Sequence, residues 1–315
     1  MKRRDFLRKS SFASAAALTA LSGIPKWMYS QQAAVATNIS IVEGTNYFKN
    51  TVEAINYLGG IKRFVSKKDV VGLLINASFE TKGAYVNPDI PLAIIEECFN
   101  AGAKEIILLQ TIPDNYWERT ETGLSKSEYT QQLKVVQSNK FPAEYNEQDF
   151  TILKKVKGAE IIKDIEVIKA VLECDVFINI PIAKHHATTF VTASLKNMMG
   201  IQTRASNVGF HLGSGERNNP EYLGQCIAEL NLVRKPDLVV MDASEMIITN
   251  GPNGPGEMNR FDHVLAGTDP VAMDVLACEY VGYAPQDIVS IVKAHEIGAG
   301  SMDISKLVVE KVIGS

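Results

Sequence analysis

Short β-rich runs alternate with helical runs along most of this chain, and that alternation limits the folds open to it. Val70–Ala77 (VVGLLINA) reads as a buried strand, and Pro91–Ala101 as a helix that Gly102 stops. Glu105–Gln110 reads as the next strand, Ile165–Cys174 as a helix and Val176–Pro181 as a strand. Tyr222–Arg234 reads as a helix and Leu238–Ala243 as a strand. Asp269-Pro270 opens a helix to about Tyr280, because Asp caps free amides and Pro suits the first turn. Leu307–Val312 closes the chain as a short strand. Strands alternating with helices predict an α/β fold: a mainly parallel sheet with helices on both faces. The fold is Rossmann-like but lacks a dinucleotide fingerprint, since no G-x-G-x-x-G follows a strand.

The first 36 residues read differently. Arg3-Arg4-Asp5-Phe6-Leu7-Arg8 has the form of a twin-arginine export signal, and an uncharged stretch from Ser10 to Ile24 follows it. That stretch falls short of the roughly 20 apolar residues of a membrane span. Ala34-Val35-Ala36 reads as a cleavage site, which makes Thr37 the expected mature N-terminus. The expected organisation is a signal over 1–36 and one α/β domain over 37–315. The polar, aromatic stretch 113–150 reads as a lid or an insertion. The expected location is the periplasm, reached through the Tat export machinery, with no stable membrane anchor after cleavage.

Composition narrows the partners. The signal carries six bases and one acid, so the remaining chain has a net charge near −9. A general nucleic-acid surface needs a basic face, so no nucleic-acid partner is expected. Cys98, Cys174, Cys226 and Cys278 are far apart in apolar surroundings and form no C-x-x-C. They read as buried thiols, and the run of four ligands that an iron–sulfur cluster needs is absent.

Ligands of parallel sheets bind beyond the carboxyl ends of the strands. Three polar clusters fall there. The first, Asn179–Gly200, gathers Lys184, His185, His186, Thr192, Lys196 and Asn197, with a helix expected from near Thr192. Lysines beside a helix start make an anion site, and a histidine can move a proton. The competing reading is a solvated loop with ordinary surface bases. The second cluster runs from Asp242 at a strand end through Glu245 to a loop built on Gly251, Gly254 and Gly256. A loop of that kind can present backbone amides to an anion, or be a plain connection. The third includes Asp269, read as a helix cap, and Asp274, an acid in an apolar helix that needs a partner. Arg204 and His211 are expected to flank a polar loop, and His295 to lie on a surface helix. His186, His211, Asp242 and Asp269 are the residues a metal site would draw on, but no H-x-x-E-H-type spacing supports one, and no cofactor is specified.

These clusters, in order, resemble a known family. The carriers are Ile75-Asn76, Asn87-Pro88, Ala101-Gly102-Ala103-Lys104, Ile180-Pro181, Lys184-x-His186, Thr192 and Lys196-Asn197-x-x-Gly200. Pro236-Asp237-Leu238, Asp242, the Gly/Pro loop and Asp269-Pro270-Val271-Ala272-x-Asp274 complete the set. The set resembles domain of unknown function 362, over most of the chain beyond residue 36. The resemblance implies no particular activity. Many relatives carry an added ferredoxin-like Cys-rich segment, and this chain lacks it. Asn76 also lacks the Lys-Pro that often precedes it in the family, and His185 stands between the matched Lys184 and His186.

The combined reading is an exported enzyme acting on a small anionic substrate, a carboxylate or sugar acid. His186, Lys184 and Asp242 are the expected catalytic residues. Lys196, Asn197, Thr192, Glu245 and Gly254 are the expected substrate-binding residues. The alternative is a non-catalytic protein that holds a cofactor or ligand, or a partner in a redox complex.

Overall fold

The computed structural model describes residues 38–120, 122, 124, 128–135 and 147–314. Residues 1–36, where the export signal is expected, lie outside the described residues. Eight strands form one sheet in the order β12-β1-β11-β10-β7-β2-β3-β4. They are β1 (Ile39–Glu43), β2 (Val70–Ile75), β3 (Glu105–Leu108), β4 (Lys134–Val135), β7 (Val176–Ile180), β10 (Leu238–Ile247), β11 (Met258–Gly267) and β12 (Val309–Ile313). Seven run in one direction, and β11 alone runs against its neighbours β1 and β10. The sheet is thus α/β and mostly parallel.

The centre of the sheet follows from its sequence. Val71 through Ile75 in β2 are buried, as expected of a parallel strand covered on both faces. Gly72 is small by necessity, since a Cβ there would sit 3.0 Å from Cys174 Sγ and 3.1 Å from Leu109 Cδ1.

Helices α1 (Tyr47–Tyr57), α2 (Asp89–Ala101), α6 (Pro220–Leu230), α7 (Pro270–Val281) and α8 (Val289–Glu296) pack around the sheet. Their ends match the sequence signals. Gly102 closes α2 in the left-handed region at φ 97. Asn219 caps α6 ahead of Pro220, and Asp269 caps α7 through the Val271 and Ala272 amides. Helix α7 is buried on nearly all sides, which fits its almost unbroken apolar sequence. All four cysteines are buried free thiols.

Several elements differ from the sequence reading. Residues 165–174 are not one helix. Strand β6 (Asp164–Ile168) pairs with β5 (Phe150–Lys154), and only α3 (Lys169–Glu173) is helical. Ile165 and Val167 alternate with polar neighbours, a strand pattern that outweighed the helical one. Strand β10 does not stop at Ala243 but continues to Ile247, because β11 pairs along it through a register shift between Ala243 and Glu245. The Gly/Pro loop is therefore the tip of the β10–β11 hairpin. Lys184 is not in a loop, since β8 (Lys184–His186) and β9 (Phe190–Thr192) form a small hairpin of their own. Thr192 lies in that strand, and the next helix, α4 (Ser194–Asn197), starts two residues later. Arg204 and His211 do not flank a loop, because both lie on α5 (Arg204–Leu212). Within 113–150, Tyr116 and Trp117 are buried in the core, so that part is built into the domain. Residues 121, 123, 125–127 and 136–146 of the expected lid lie outside the described residues. Among the described residues no helix is long and apolar enough to cross a membrane.

Candidate functional site

The carboxyl ends of β2 and β7, together with the outer half of β10, share one edge of the sheet. Backbone bonds lock this edge. The Asn76 amide donates to Ile180 O at 3.1 Å, and the Asp242 amide donates to Pro181 O at 2.9 Å. The Ala183 amide returns to Asp242 O at 2.9 Å.

Three buried side chains brace this edge from below. Asn197 Nδ2 donates to Leu74 O at 3.1 Å and to Asn179 Oδ1 at 2.7 Å. Asn179 Nδ2 in turn donates to Ser194 O and Oγ. Asp274 accepts the amides of Ser194 at 2.6 Å and Leu195 at 3.0 Å, so it caps α4 across the fold. Burial raises its pKa to about 8 against the pull of those two amides.

Asp242 lies inside β10 and is 1% exposed. Its Oδ2 accepts the Asn87 amide at 2.6 Å. Its Oδ1 accepts the Ser244 amide at 2.9 Å and the Ser244 hydroxyl at 2.6 Å. Asp242 therefore ties the loop after β2 to the bulge in β10 and fixes the Ser244 hydroxyl proton on itself.

A small, open cleft lies above this bond. Asp242, Ser244 and Glu245 form one wall, Asn87 and Tyr85 another, and Arg119 closes the side. Arg119 Nη1 donates to Phe79 O and Nη2 to Asn115 Oδ1, both at 2.8 Å, and its guanidinium lies 4.7 Å from the Tyr85 ring centre. Two of its five N–H groups are engaged in these bonds, and no carboxylate pairs with it among the described residues. Asn87 Oδ1 accepts the Asp89 amide, which leaves Asn87 Nδ2 without a partner among the described residues. Glu245 pairs with the exposed Lys82 at 2.7 Å.

The other expected residues lie beside this cleft and do not line it. Lys184 is fully buried. Its Nζ donates to Ala84 O at 2.5 Å and sits 4.2 Å from the Phe79 ring centre. Ala84 stands between Gly83 and Tyr85, so Lys184 holds the cleft wall from behind. Burial, then the charge of Lys196, push the Lys184 pKa well below the usual lysine range. Lys196 is partly buried, has Met199 Sδ 3.4 Å from its Nζ, and is lowered to about 8 by burial.

His186 Nδ1 accepts the amides of Thr188 at 3.1 Å and Thr189 at 3.2 Å. Its one ring proton must therefore sit on Nε2. Burial and the charges of Lys196, His211, Lys184 and His185 push its pKa down to about 2. In this arrangement the free hydrogen-bonding atom of His186 is Nε2, a donor.

The Gly251–Gly256 loop meets the β8–β9 hairpin through backbone. The Gly251 amide donates to His185 Nδ1 at 2.9 Å, and the Ala187 amide to Gly251 O at 3.1 Å. Gly254, at φ +68, gives its amide to Asn250 O. These two amides are thus committed within the protein and are not offered to an anion. Among the described residues, no group of three or more His, Cys, Asp or Glu is placed to hold a metal.

Sequence reasoning missed Arg119, Asn87, Tyr85 and Ser244 as members of the site. Asn87-Pro88 was visible as a motif, and Ser244 stands between two expected residues. Arg119 gave no signal beyond following Tyr116 and Trp117, whose burial carries it to the cleft.

Fold and site together define a mostly parallel α/β protein with a polar, mixed-charge cleft at the carboxyl edge of its sheet. Residues 71–279 match the family described as Domain of unknown function (DUF362), and the chain belongs to that family. It is also 26% identical over 132 residues to the thylakoid-associated protein sll1697 of Synechocystis sp., covering 41% of this chain and 40% of that protein. The chain thus spans well under half the length of that curated relative. Among solved structures, a Thermotoga maritima protein is similar with a TM-score of 0.37 and 15% identity, over 64% of this chain and 51% of that one. The lactate racemase apoprotein from Thermoanaerobacterium thermosaccharolyticum is similar with a TM-score of 0.45 and 12% identity, over 78% and 56%.

Proposed function

We propose that the protein is an enzyme exported by the twin-arginine route that acts on a small hydroxycarboxylate or sugar acid in the Arg119 cleft. The observation that carries this reading is a cationic guanidinium in an open polar cleft with donors to spare and no carboxylate on it. Asn87 Nδ2 is a second unused donor on the same cleft. Together they suit a planar carboxylate, which accepts several N–H bonds at once. Ser244 gives its proton to Asp242, so its oxygen can only accept from a ligand, as a substrate hydroxyl requires. In this reading Glu245 takes a proton from the substrate once Lys82 turns outward. Asp242 orients Ser244 and does not itself react.

The test is calorimetric titration of the purified protein with glycolate, lactate, gluconate and their deoxy or amide analogues. Turnover is followed by loss of the carbon-bound proton signal in heavy water. Arg119→Met should weaken the acid that binds best by about 10- to 100-fold, the range of a lost charge-assisted bond. Equal binding by wild type and Arg119→Met would refute the assignment. Binding without turnover by any of these acids would favour a ligand-binding protein over an enzyme.

A further inference from the structure

After Ile75 the chain leaves β2 and runs without regular secondary structure to α2, bringing Lys82, Gly83 and Tyr85 into the cleft wall. Both ends of this segment are fastened. The Asn76 amide donates to Ile180 O at 3.1 Å, and the Asn87 amide to Asp242 Oδ2 at 2.6 Å. Between them the segment makes few backbone bonds of its own: Val86 N–H to Asn76 O at 2.9 Å and Ala84 N–H to Thr81 O at 3.0 Å. A stretch with so little internal bonding takes its shape from what packs against it.

Two basic side chains hold it, one from each side. On the side away from the cleft, Lys184 Nζ donates to Ala84 O at 2.5 Å and lies 4.2 Å from the Phe79 ring centre. On the cleft side, Arg119 Nη1 donates to Phe79 O at 2.8 Å, and its guanidinium lies 4.7 Å from the Tyr85 ring centre. Each base thus takes one carbonyl and one ring of the same short segment. Phe79 touches both, Lys184 through its ring and Arg119 through its carbonyl.

Lys184 is fully buried, and Ala84 O is its one hydrogen-bond acceptor among the described residues. A buried lysine is rare and costly. Methionine would fill much the same space without that cost, so what lysine adds here is the N–H to Ala84 O. Charged or neutral, the amine keeps such an N–H, and the contact does not depend on its protonation.

We propose that Lys184 is a positioning residue: by fixing Ala84 and Phe79 it sets the place of the Arg119 guanidinium in the cleft. Its effect on ligand affinity rests on the reading of Arg119 as the carboxylate-binding group; its effect on Arg119 itself does not.

The test reads Arg119 directly, by NMR of the ligand-free purified protein labelled with ¹⁵N-arginine. The guanidinium signal missing from Arg119→Met belongs to Arg119, and the Tyr85 ring current should move it upfield of the other arginines. Lys184→Met, which nearly keeps the packed volume, should return that signal toward the exposed arginines. Phe79→Leu removes the ring beside Lys184 but keeps the carbonyl that Arg119 uses. It should shift the signal part of the way, and it serves in place of Lys184→Met if that variant does not fold. Glu229→Gln is the control for a general loss of stability, since Glu229 holds the amides of Glu160, Ile161 and Ile162, none of which lines the cleft. Its Arg119 signal should match wild type. Calorimetric titration with lactate and gluconate gives the consequence for binding. Lys184→Met should weaken the acid by about three- to tenfold, the range of coupling within one network, and should weaken it no further when added to Arg119→Met. The proposal is overturned if the Arg119 signal keeps its wild-type position in whichever of Lys184→Met and Phe79→Leu folds, if Glu229→Gln moves it as far, or if the two losses of affinity add. A shifted Arg119 signal with no binding of either acid would remove the carboxylate reading and leave the positioning role standing.

Discussion

Gly251→Ala tests the contact that joins the β8–β9 hairpin to the β10–β11 loop. A Cβ at Gly251 would lie 1.8 Å from His185 O and 2.5 Å from His185 C. Ordinary contact between non-bonded heavy atoms is about 3.5 Å, so the two backbones must part by roughly 1.5 Å. Neither atom belongs to a flexible side chain, so no rotamer change relieves the clash. The separation breaks two bonds, Gly251 N–H to His185 Nδ1 and Ala187 N–H to Gly251 O. At about 1 kcal/mol for each bond, with an overpacking cost of similar size, the loss is about 3 kcal/mol. For a domain near 280 residues that lowers the melting temperature by about 6 °C. Gly209→Ala is the control. It lies within α5, nothing approaches its Cβ position within 4 Å, and Ala there should add up to about 1 kcal/mol. Differential scanning calorimetry of the two variants decides the matter. A Gly251→Ala protein melting within 1 °C of wild type would show that the hairpin and loop do not meet as described.

Two further outcomes are expected. Glu229 is fully buried and accepts the amides of Glu160, Ile161 and Ile162 and the amide of Gln225. Burial raises its pKa, but the Gln225 bond and the three backbone amides outweigh that and hold it below the usual glutamate value. A folded pKa below the unfolded one stabilises above the unfolded pKa, and that stability is lost as pH falls through the folded pKa. Glu229→Gln should therefore cost about 2 kcal/mol in urea unfolding at pH 7 and less at pH 3; an equal cost at both pH values would contradict the role of charge. For export, Arg3→Lys with Arg4→Lys should leave a precursor some 36 residues longer in the cytoplasm, because lysine does not reproduce guanidinium recognition. Normal processing of that variant in cell fractions would count against a twin-arginine signal.

The central parallel strands β2, β3 and β7 were legible because their burial leaves little room for polar residues, while β1 and β4 were not read. VVGLLI and VFINI are apolar runs that fit a sheet covered on both faces. The antiparallel elements were not legible, for a related reason. In β11, Met258–Gly267, the half that pairs beyond the sheet carries Asn259, Arg260 and Asp262, and only Val264 through Gly267 read as core. β10 was cut short at Ala243 because Asp242, Ser244 and Glu245 resemble a strand end. They are tolerated inside a strand because the bulge turns them to the cleft and one another. Helix α1 was not read from the sequence, although Asn46 caps it and its apolar residues fall on one face.

Sequence could place polar residues at the carboxyl edge but could not sort them by use. Asp242, Asn197, Asn179 and Asp274 are all polar and all at that edge, and each donates or accepts within the protein. A carboxylate that already holds two amides and a hydroxyl is a fastening, and a motif that includes it marks a requirement of the fold. Arg119, Asn87 Nδ2 and the acceptor side of Ser244 Oγ are the polar atoms at the cleft left over once those fastenings are made. Lys196, His186 Nε2–H and Thr192 Oγ1 are the corresponding remainder around the hairpin. That remainder depends on which amide lies within 3 Å of which oxygen, a property of the folded chain that residue types and spacings do not carry. Lys184 shows the limit most clearly. Read beside His185 and His186 it looks like a surface base, yet a three-residue strand and the Phe79–Tyr85 loop bury it completely. Lys184 meets the cleft wall at two points: its Nζ bonds Ala84 O, and it lies 4.2 Å from the ring centre of Phe79, whose carbonyl accepts from Arg119. A change in the charge around Lys184 therefore reaches both Tyr85 and Arg119 in the cleft through the Phe79–Tyr85 loop.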